Sequence, residues 1–474
     1  MANKTLLTAG ARLFSVQQDY YSPVLVIPPS NSGLPLHTSI YCFLSRVDPW
    51  VDVNNPPTPT EDQISIKNIL KSMFVAKQLT TSDISPVIQR IDWTSGTTYD
   101  YYDDYADMLA TDSNGFLVKT FYVKNRYDQV FKCLWNNNDG LSTYEPFFEP
   151  GSYNTNNIYQ SLDGYKWKFM FTIDSGSKIK FMDENWIPVP IGSNTYNPTS
   201  NNSLLSVVST PGVGSVDVIN IIEGGSGYDP VNSAITIKIV GDGTGANAEV
   251  GTYQVVGGSI TDIIVTSPGS NYNYANVVIS SANGSGAVAI APASPIGGHG
   301  SNPISELGCS HIMYTAQFNS TEQYNGVNII PTNIDYYQMG LLVNPSDLTS
   351  GTKPASNSIY QITENIFVAQ GLGSYTSDEI VYQTPDNTFA NSTFTGTVLS
   401  FDSAADVVYV INTTGTPTTS QSLHGLTSRT VRTLLNYVPP KYIISSGNII
   451  YIENMIGVQR SSDGIEQFRI VLGY

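Results

Sequence analysis

Only one stretch of this 474-residue chain carries the apolar spacing of a long helix. In TEDQISIKNILKSMFVAKQL, Ile66, Ile69, Leu70, Met73 and Phe74 recur on one face while Asn68 and Lys71 point elsewhere. Thr60 and Gln63 have the spacing of a capping box. The preceding NNPPTPT fixes the start, because proline is tolerated only in a helix's first turn. The pattern predicts a helix over 61–79, and SDISPVIQRI predicts a second one, cut to a turn or two by Pro86. The rest reads as strands bounded by Gly, Asn, Asp and Pro, among them TSIYCFLSRV, FYVKNRYDQVFKCLW, DGYKWKFMFTI and YYQMGLLV. The fold class expected is therefore mainly β, a multi-domain chain of β-sandwich and barrel modules with a few short helices.

Two stretches differ in texture from the others. Residues 203–292 are rich in Gly, Val and Ile and contain an internal repeat. VINIIEGGSGYDP, AITIKI and GDGTGA are echoed by TDIIVTSPGSNYNY, NVVIS and ANGSGA, aligning Ile219 with Ile263 and Tyr228 with Tyr272. The turn Gly243-Thr244-Gly245-Ala246 aligns with Gly284-Ser285-Gly286-Ala287. A duplicated unit that cannot bury its own face stacks on its copy, so 203–292 is read as one inserted β-domain. Short, closely spaced strands in 356–430 suit a small closed β-barrel or a sandwich. The divisions expected are an N-terminal framework at 1–202, the insertion, framework strands at 293–347, the barrel-like module at 348–430 and C-terminal framework strands at 431–474.

Charged residues make up only 13% of the chain, whereas Tyr occurs 30 times. Surfaces buried against partners have this character, and so do β-rich proteins in general; composition alone leaves both readings open. A net charge of −17 with no Lys/Arg block argues against nucleic acid as a partner. The N-terminus has no apolar leader and no run reaches membrane-spanning length, so the chain is expected to be soluble, without membrane insertion. Cys42, Cys133 and Cys309 are too scattered for a disulfide framework or a zinc site, and Cys42 and Cys133 sit in strand patterns as small buried hydrophobes.

The search for chemistry ends without a catalytic residue, metal site or cofactor site. GDGTGAN (241–247) lacks the Lys and Ser/Thr of a Walker loop and leads into a strand instead of a helix. There is no G-x-S-x-G, and His37, His299, His311 and His424 have no metal spacing. His299 lies between glycines that mark a tight chain path. GGSGYDPVN (224–232) matches one calcium β-roll nonapeptide, but such rolls need tandem copies, and Asn273 replaces Asp229 in the internal partner. It is read as a turn. The acids of YDYYDDYAD (Asp100, Asp103, Asp104, Asp107) lack the oxygen spacing of an EF-hand and are read as a solvated or partner-facing loop.

The C-terminus carries a resemblance. SGNIIYIENMIGVQRSSDGIEQFRIVLGY resembles the end of the baseplate wedge protein encoded by gene eight in T4-like contractile-tailed phages. The matching residues are Ser446, Gly447, Ile450, Tyr451, Glu453 and Asn454, then Asp463, Glu466 and Ile470. In that family's order, TSIYCFLSRVDPW (38–50), DISPVIQRIDW (83–93), DGYKWKFMFTI (163–173) and DYYQMGLLVNP (335–345) are also similar. Together they cover the framework at 1–200, 293–347 and 431–474; the repeat domain and the barrel-like region depart from the pattern.

The resemblance implies a structural subunit of the virion tail baseplate, made in the host cytoplasm. It would form a homodimer, join other wedge subunits, approach tail fibre proteins and help couple host contact to sheath contraction. Aromatic side chains give large contact area at small entropy cost. The interface candidates are Tyr99, Tyr101, Tyr102 and Tyr105, with Tyr144, Phe147 and Phe148 of YEPFFEP. Filling of local cores is the competing reading for each. The alternative function is a carbohydrate-binding tail or adsorption protein, which exposed aromatic platforms near Trp135 or Trp167 would favour.

Overall fold

The structure is a computed structural model and describes residues 4–7, 39–113, 115–149, 158–190, 214–295, 298–319, 323–324, 327–328, 331–349, 359–462 and 464–473. It is mainly β, with 46% of the described residues in strands and 8% helical. The nonapeptide match at 224–232 and both predicted helices fall on described residues, whereas His37 and Asp463 lie outside them. The chain divides into two compact units, Met1–Ile84 with Tyr314–Leu472, and Ser85–Met313.

The helix expected at 61–79 is half as long as predicted. Helix α1 spans Gln63–Ser72 and passes directly into a strand, Met73–Leu79. Its cap is Asp62 and not Thr60: the Asp62 carboxylate accepts from the Ile64 and Ser65 amides at 3.0 and 2.9 Å, and Thr60 donates its hydroxyl to that carboxylate. The run Met73–Ala76 is buried throughout, and an apolar run carries no periodicity that separates helix from strand. Pairing with Ile40–Ser45 on one side and Ile359–Gln361 on the other makes it a strand. The second predicted helix is likewise replaced, by a 3₁₀ turn at Thr81–Asp83 and a strand at Ile84–Gln89 paired with Trp186–Pro188.

In the first unit a six-stranded sheet runs in the order Lys4–Leu7, Asn448–Arg460, Ile334–Val343, Ile40–Ser45, Met73–Leu79, Ile359–Gln361. Tyr41, Phe43, Leu342, Tyr360, Tyr442 and Ile452 form the core against α1. Three of the blocks carrying the sequence resemblance are adjacent strands here, and polar bonds join them. Asn454 accepts from Gln338 at 2.6 Å and donates to the Pro57 carbonyl at 2.8 Å, while the Trp50 indole donates to Met455 at 2.8 Å. Arg460, fully buried, pairs with Glu466 and donates to the Asn319 carbonyl at 2.9 Å.

The same unit contains a closed barrel. Its strands follow one another as Glu364–Val368, Val407–Gly415, Phe394–Asp402, Ile380–Gln383, Ser422–Gly425 and Val431–Val438. The barrel thus extends past residue 430, since Val431–Val438 is the strand that closes it onto Glu364–Val368. Alternate residues point inward, so Ile366, Val381, Phe394, Val398, Val408, Val410, Leu423 and Leu434 fill the lumen.

The second unit is built on a four-stranded sheet, Tyr122–Lys124, Gln129–Trp135, Lys166–Thr172 and Ile158–Gln160. One face buries Val123, Phe131, Cys133, Trp167 and Phe169; Tyr122, Val130, Met170 and Phe171 belong to a separate core. From this unit also grows the glycine-rich module. Its two repeats pair about a pseudo-twofold axis. Asn220–Ser226 pairs with Ser285–Ile290, and Ile264–Ser270 pairs with Thr244–Glu249, with a bulge at the equivalent place in each. The strands Thr236–Gly241 and Ala275–Ser280 pair with each other, and Ile219 bridges its own equivalent, Ile263. Both legs of the module meet at its base, where Ser215 and Ser294 exchange bonds of 2.8 and 2.9 Å.

Candidate interaction surface

Two buried amides build an exposed aromatic cluster in the second unit. The Asn125 carboxamide oxygen accepts from the Tyr127 and Gln129 amides, both at 2.9 Å, closing a turn in which Asp128 takes a positive φ of 59°. Its amide nitrogen donates to Pro146, while Gln129 donates to the Phe148 carbonyl at 2.6 Å and accepts from the Phe148 amide. The turn and the 144–149 loop are thereby clamped side by side. Tyr127, 55% exposed, lies against Phe147, 39% exposed, with ring centroids 4.8 Å apart. Arg126 stands over Tyr127 and is tied to Glu145 through its backbone amide and its guanidinium. Tyr144, 47% exposed, is held from below by Asp163, which accepts from the Thr143 and Tyr144 amides at 2.7 and 2.9 Å. Rigid Tyr, Phe and Arg at a surface form the composition of binding hot spots.

The seven predicted interface residues separate into three groups. Tyr105, Tyr144 and Phe147 are exposed. Tyr99 and Phe148 are not available to a partner, since both are buried in the core around Trp167. Tyr101 packs edge-on against Trp135, and Tyr102 covers a buried lysine, so their contacts are internal. Arg126 and Tyr127 escaped the sequence reading. Their signal was the Asn-Arg-Tyr-Asp turn between two strands, which carries no mark of exposure until the 144–149 loop lies beside it.

The acids of residues 100–107 do not converge. Each caps a different backbone amide: Asp100 that of Thr120, Asp103 that of Tyr105, Asp104 that of Ala293 and Asp107 that of Leu109. Asp229 is similarly occupied, accepting from the Val231 and Asn232 amides and from the Asn232 side chain at 2.6 Å, which holds its carboxyl below the usual range. Among the described residues no group of three His, Cys, Asp or Glu side chains is placed to hold a metal ion. No described helix is long and apolar enough to cross a membrane.

Titratable groups gather under the module instead. Lys132 and Lys168 are cross-strand partners on the four-stranded sheet, and both are buried. Lys132 lies 3.2 Å from Glu306 of the short helix α2, Pro303–Glu306, and 3.2 Å from His299 Nδ1. The flanking Gly298 and Gly300 take φ of 85° and 86°, which lets the chain turn His299 inward. Glu306 also accepts from the Gly300 and Asn302 amides at 2.7 and 3.2 Å. Burial pushes its carboxyl up, but the Lys132 ammonium and the His299 contact prevail and hold it at about 2. Burial, reinforced by Lys132, lowers His299, so at neutral pH the ring is uncharged and Nδ1 accepts from the ammonium. Lys132, Lys168, His299 and Glu306 are all buried.

No family model and no curated protein matches this chain.

Proposed function

We propose that this protein is a structural subunit of a contractile-tail baseplate wedge, acting as a rigid β scaffold that dimerises and binds other wedge subunits. The observation that carries the reading is the joining of sequence blocks far apart in the chain. The strands bearing TSIYCFLSRVDPW, DYYQMGLLVNP and SGNIIYIEN lie side by side, and Asn454 and Trp50 bond across them. Three of the five blocks through which the chain resembles the gene-eight wedge family are thus neighbouring strands of one sheet. The preorganised Arg126, Tyr127, Tyr144 and Phe147 cluster supplies a contact surface of the expected kind. Trp135 and Trp167, whose exposure would favour a carbohydrate-binding role, are 4% and 0% exposed.

Electron cryo-imaging of tails assembled without this protein tests the reading. Loss of wedge assembly is the expected result; intact tails that fail only in adsorption would replace it with the glycan-binding alternative.

A further inference from the structure

The glycine-rich module is attached to its framework through buried charge. Three lysines of the four-stranded sheet, Lys132, Lys166 and Lys168, are buried where water cannot solvate them. Lys166 reaches into the module, 2.8 Å from Asp262 and 2.7 Å from the Ile219 carbonyl. Burial lowers both Lys132 and Lys168, and the charge of Asp217, on the incoming leg, opposes that shift. Glu306, beyond the outgoing leg, pairs with Lys132. Removing any partner from such a pair leaves a buried charge uncompensated, the costly case for an ion pair.

One ring connects this charge to the module's exit. Tyr102 lies over the Lys132 ammonium, 4.0 Å from its ring centroid, and meets His299 edge-on at 4.8 Å. Its hydroxyl donates to the Ala293 carbonyl at 3.2 Å, while Asp104 accepts from the Ala293 amide at 2.9 Å. Both backbone groups of Ala293, the residue next to the Ser215–Ser294 clasp, are thus held by the 102–104 loop.

We propose that the Lys132–His299–Glu306 node is a pH-gated latch, which seats the module at neutral pH and loosens its exit when His299 becomes cationic. The groups facing His299 are Lys132, with its neighbour Lys168, from the sheet; Tyr102, with Asp104 beside it, from the loop; Asp217 from the incoming leg; and Glu306 from α2. With His299 neutral, the Lys132 and Glu306 charges cancel. A proton on the ring removes the Nδ1 acceptor and sets an imidazolium 3.2 Å from an ammonium in a dry site. Glu306 is already ionised and has no further charge to offer. Relief requires the ring, and the Tyr102 contact with it, to move.

Amide hydrogen exchange of the full chain, read by mass spectrometry and corrected for intrinsic rates, tests this at about pH 7.5 and about pH 5.5, on either side of the ordinary histidine range. Residues 286–294 and 100–106 are expected to lose protection by up to about tenfold at the lower pH, the limit for one proton taken up by a histidine of ordinary affinity once released, with barrel residues 394–411 unchanged. His299→Asn, which keeps an acceptor for Lys132 but does not titrate, is expected to abolish the difference. His311→Asn is expected to retain it. Tyr102→Phe keeps the ring and removes the bond to Ala293, and is expected to leave 286–294 fast at both pH values. Equal protection of the unmodified chain at the two pH values would overturn the proposal, as would a pH difference that survives in a folded His299→Asn protein.

Discussion

Tyr228 of the first repeat lays its ring on Gly284 of the second, where a Cβ would overlap it. Tyr272 of the second repeat does the same to Gly243 of the first. The exchange extends to hydrogen bonds, for the Tyr228 hydroxyl accepts from the Ala287 amide and the Tyr272 hydroxyl from the Ala246 amide, each at 3.3 Å. Each copy thus supplies the aromatic plug for the other's glycine turn, and neither is complete alone. Gly284→Ala and Gly243→Ala should each destabilise the module by about 1–3 kcal/mol through overpacking. Tyr228→Phe should cost only about 1 kcal/mol, one hydrogen bond. Denaturant unfolding followed by hydrogen exchange in residues 236–241 would measure both, and a neutral glycine replacement would contradict the plug.

Asp163, in the D-G-Y-x-W stretch, supports the exposed loop. It accepts from the amides of Thr143, Tyr144 and Tyr165 and is paired with the Ser161 hydroxyl. Asp163→Ala should cost about 1–3 kcal/mol by leaving those donors unmet. It should also weaken partner binding through Tyr144, an effect that calorimetry and binding assays would separate.

If the proposed scaffold role is right, the Tyr127–Phe147 pair should behave as a hot spot for a partner subunit. Tyr127→Ala with Phe147→Ala is expected to lower affinity for a partner subunit at least about tenfold. Both rings are exposed, so the melting temperature should change little. Unaltered co-sedimentation with partner subunits would remove this cluster from the interface.

Glu364 opens the first barrel strand and is pushed up to about 7 by burial, against the Thr413 hydrogen bond that favours its ionised form. The folded state therefore holds the proton more tightly than the unfolded state between the ordinary carboxylate range and about 7. Stability is greatest below the unfolded value and falls as pH rises through the folded one. Glu364→Gln should flatten that slope and raise stability above neutral pH by about 1–2 kcal/mol, after discounting for solvent screening. Unfolding of the barrel measured across this range would check the sign.

Much of this architecture was legible locally. Alternation of apolar residues and the Gly/Asn punctuation marked the strands, while self-similarity marked the duplicated module, because strand period and turn chemistry are properties of neighbouring residues. Cys42 and Cys133 could be placed in buried strands on the same grounds, and both are buried. The aromatic candidates show where this stops. Tyr99, Tyr102 and Tyr105 sit in one tyrosine-rich run, yet the first fills a core, the second covers Lys132 and the third faces solvent.

What the sequence determined by itself was the β character, the repeat and the presence of a helix before residue 73. Only the tertiary structure decided that the helix stops at Ser72, that each tyrosine plugs the other repeat, and that Lys132 meets Glu306 and His299 across more than 160 residues of chain. The physical reason is that pairing and burial depend on partners distant in sequence. A strand's neighbours on both sides, or the acid that neutralises a buried lysine, leave no trace in the local pattern of either segment.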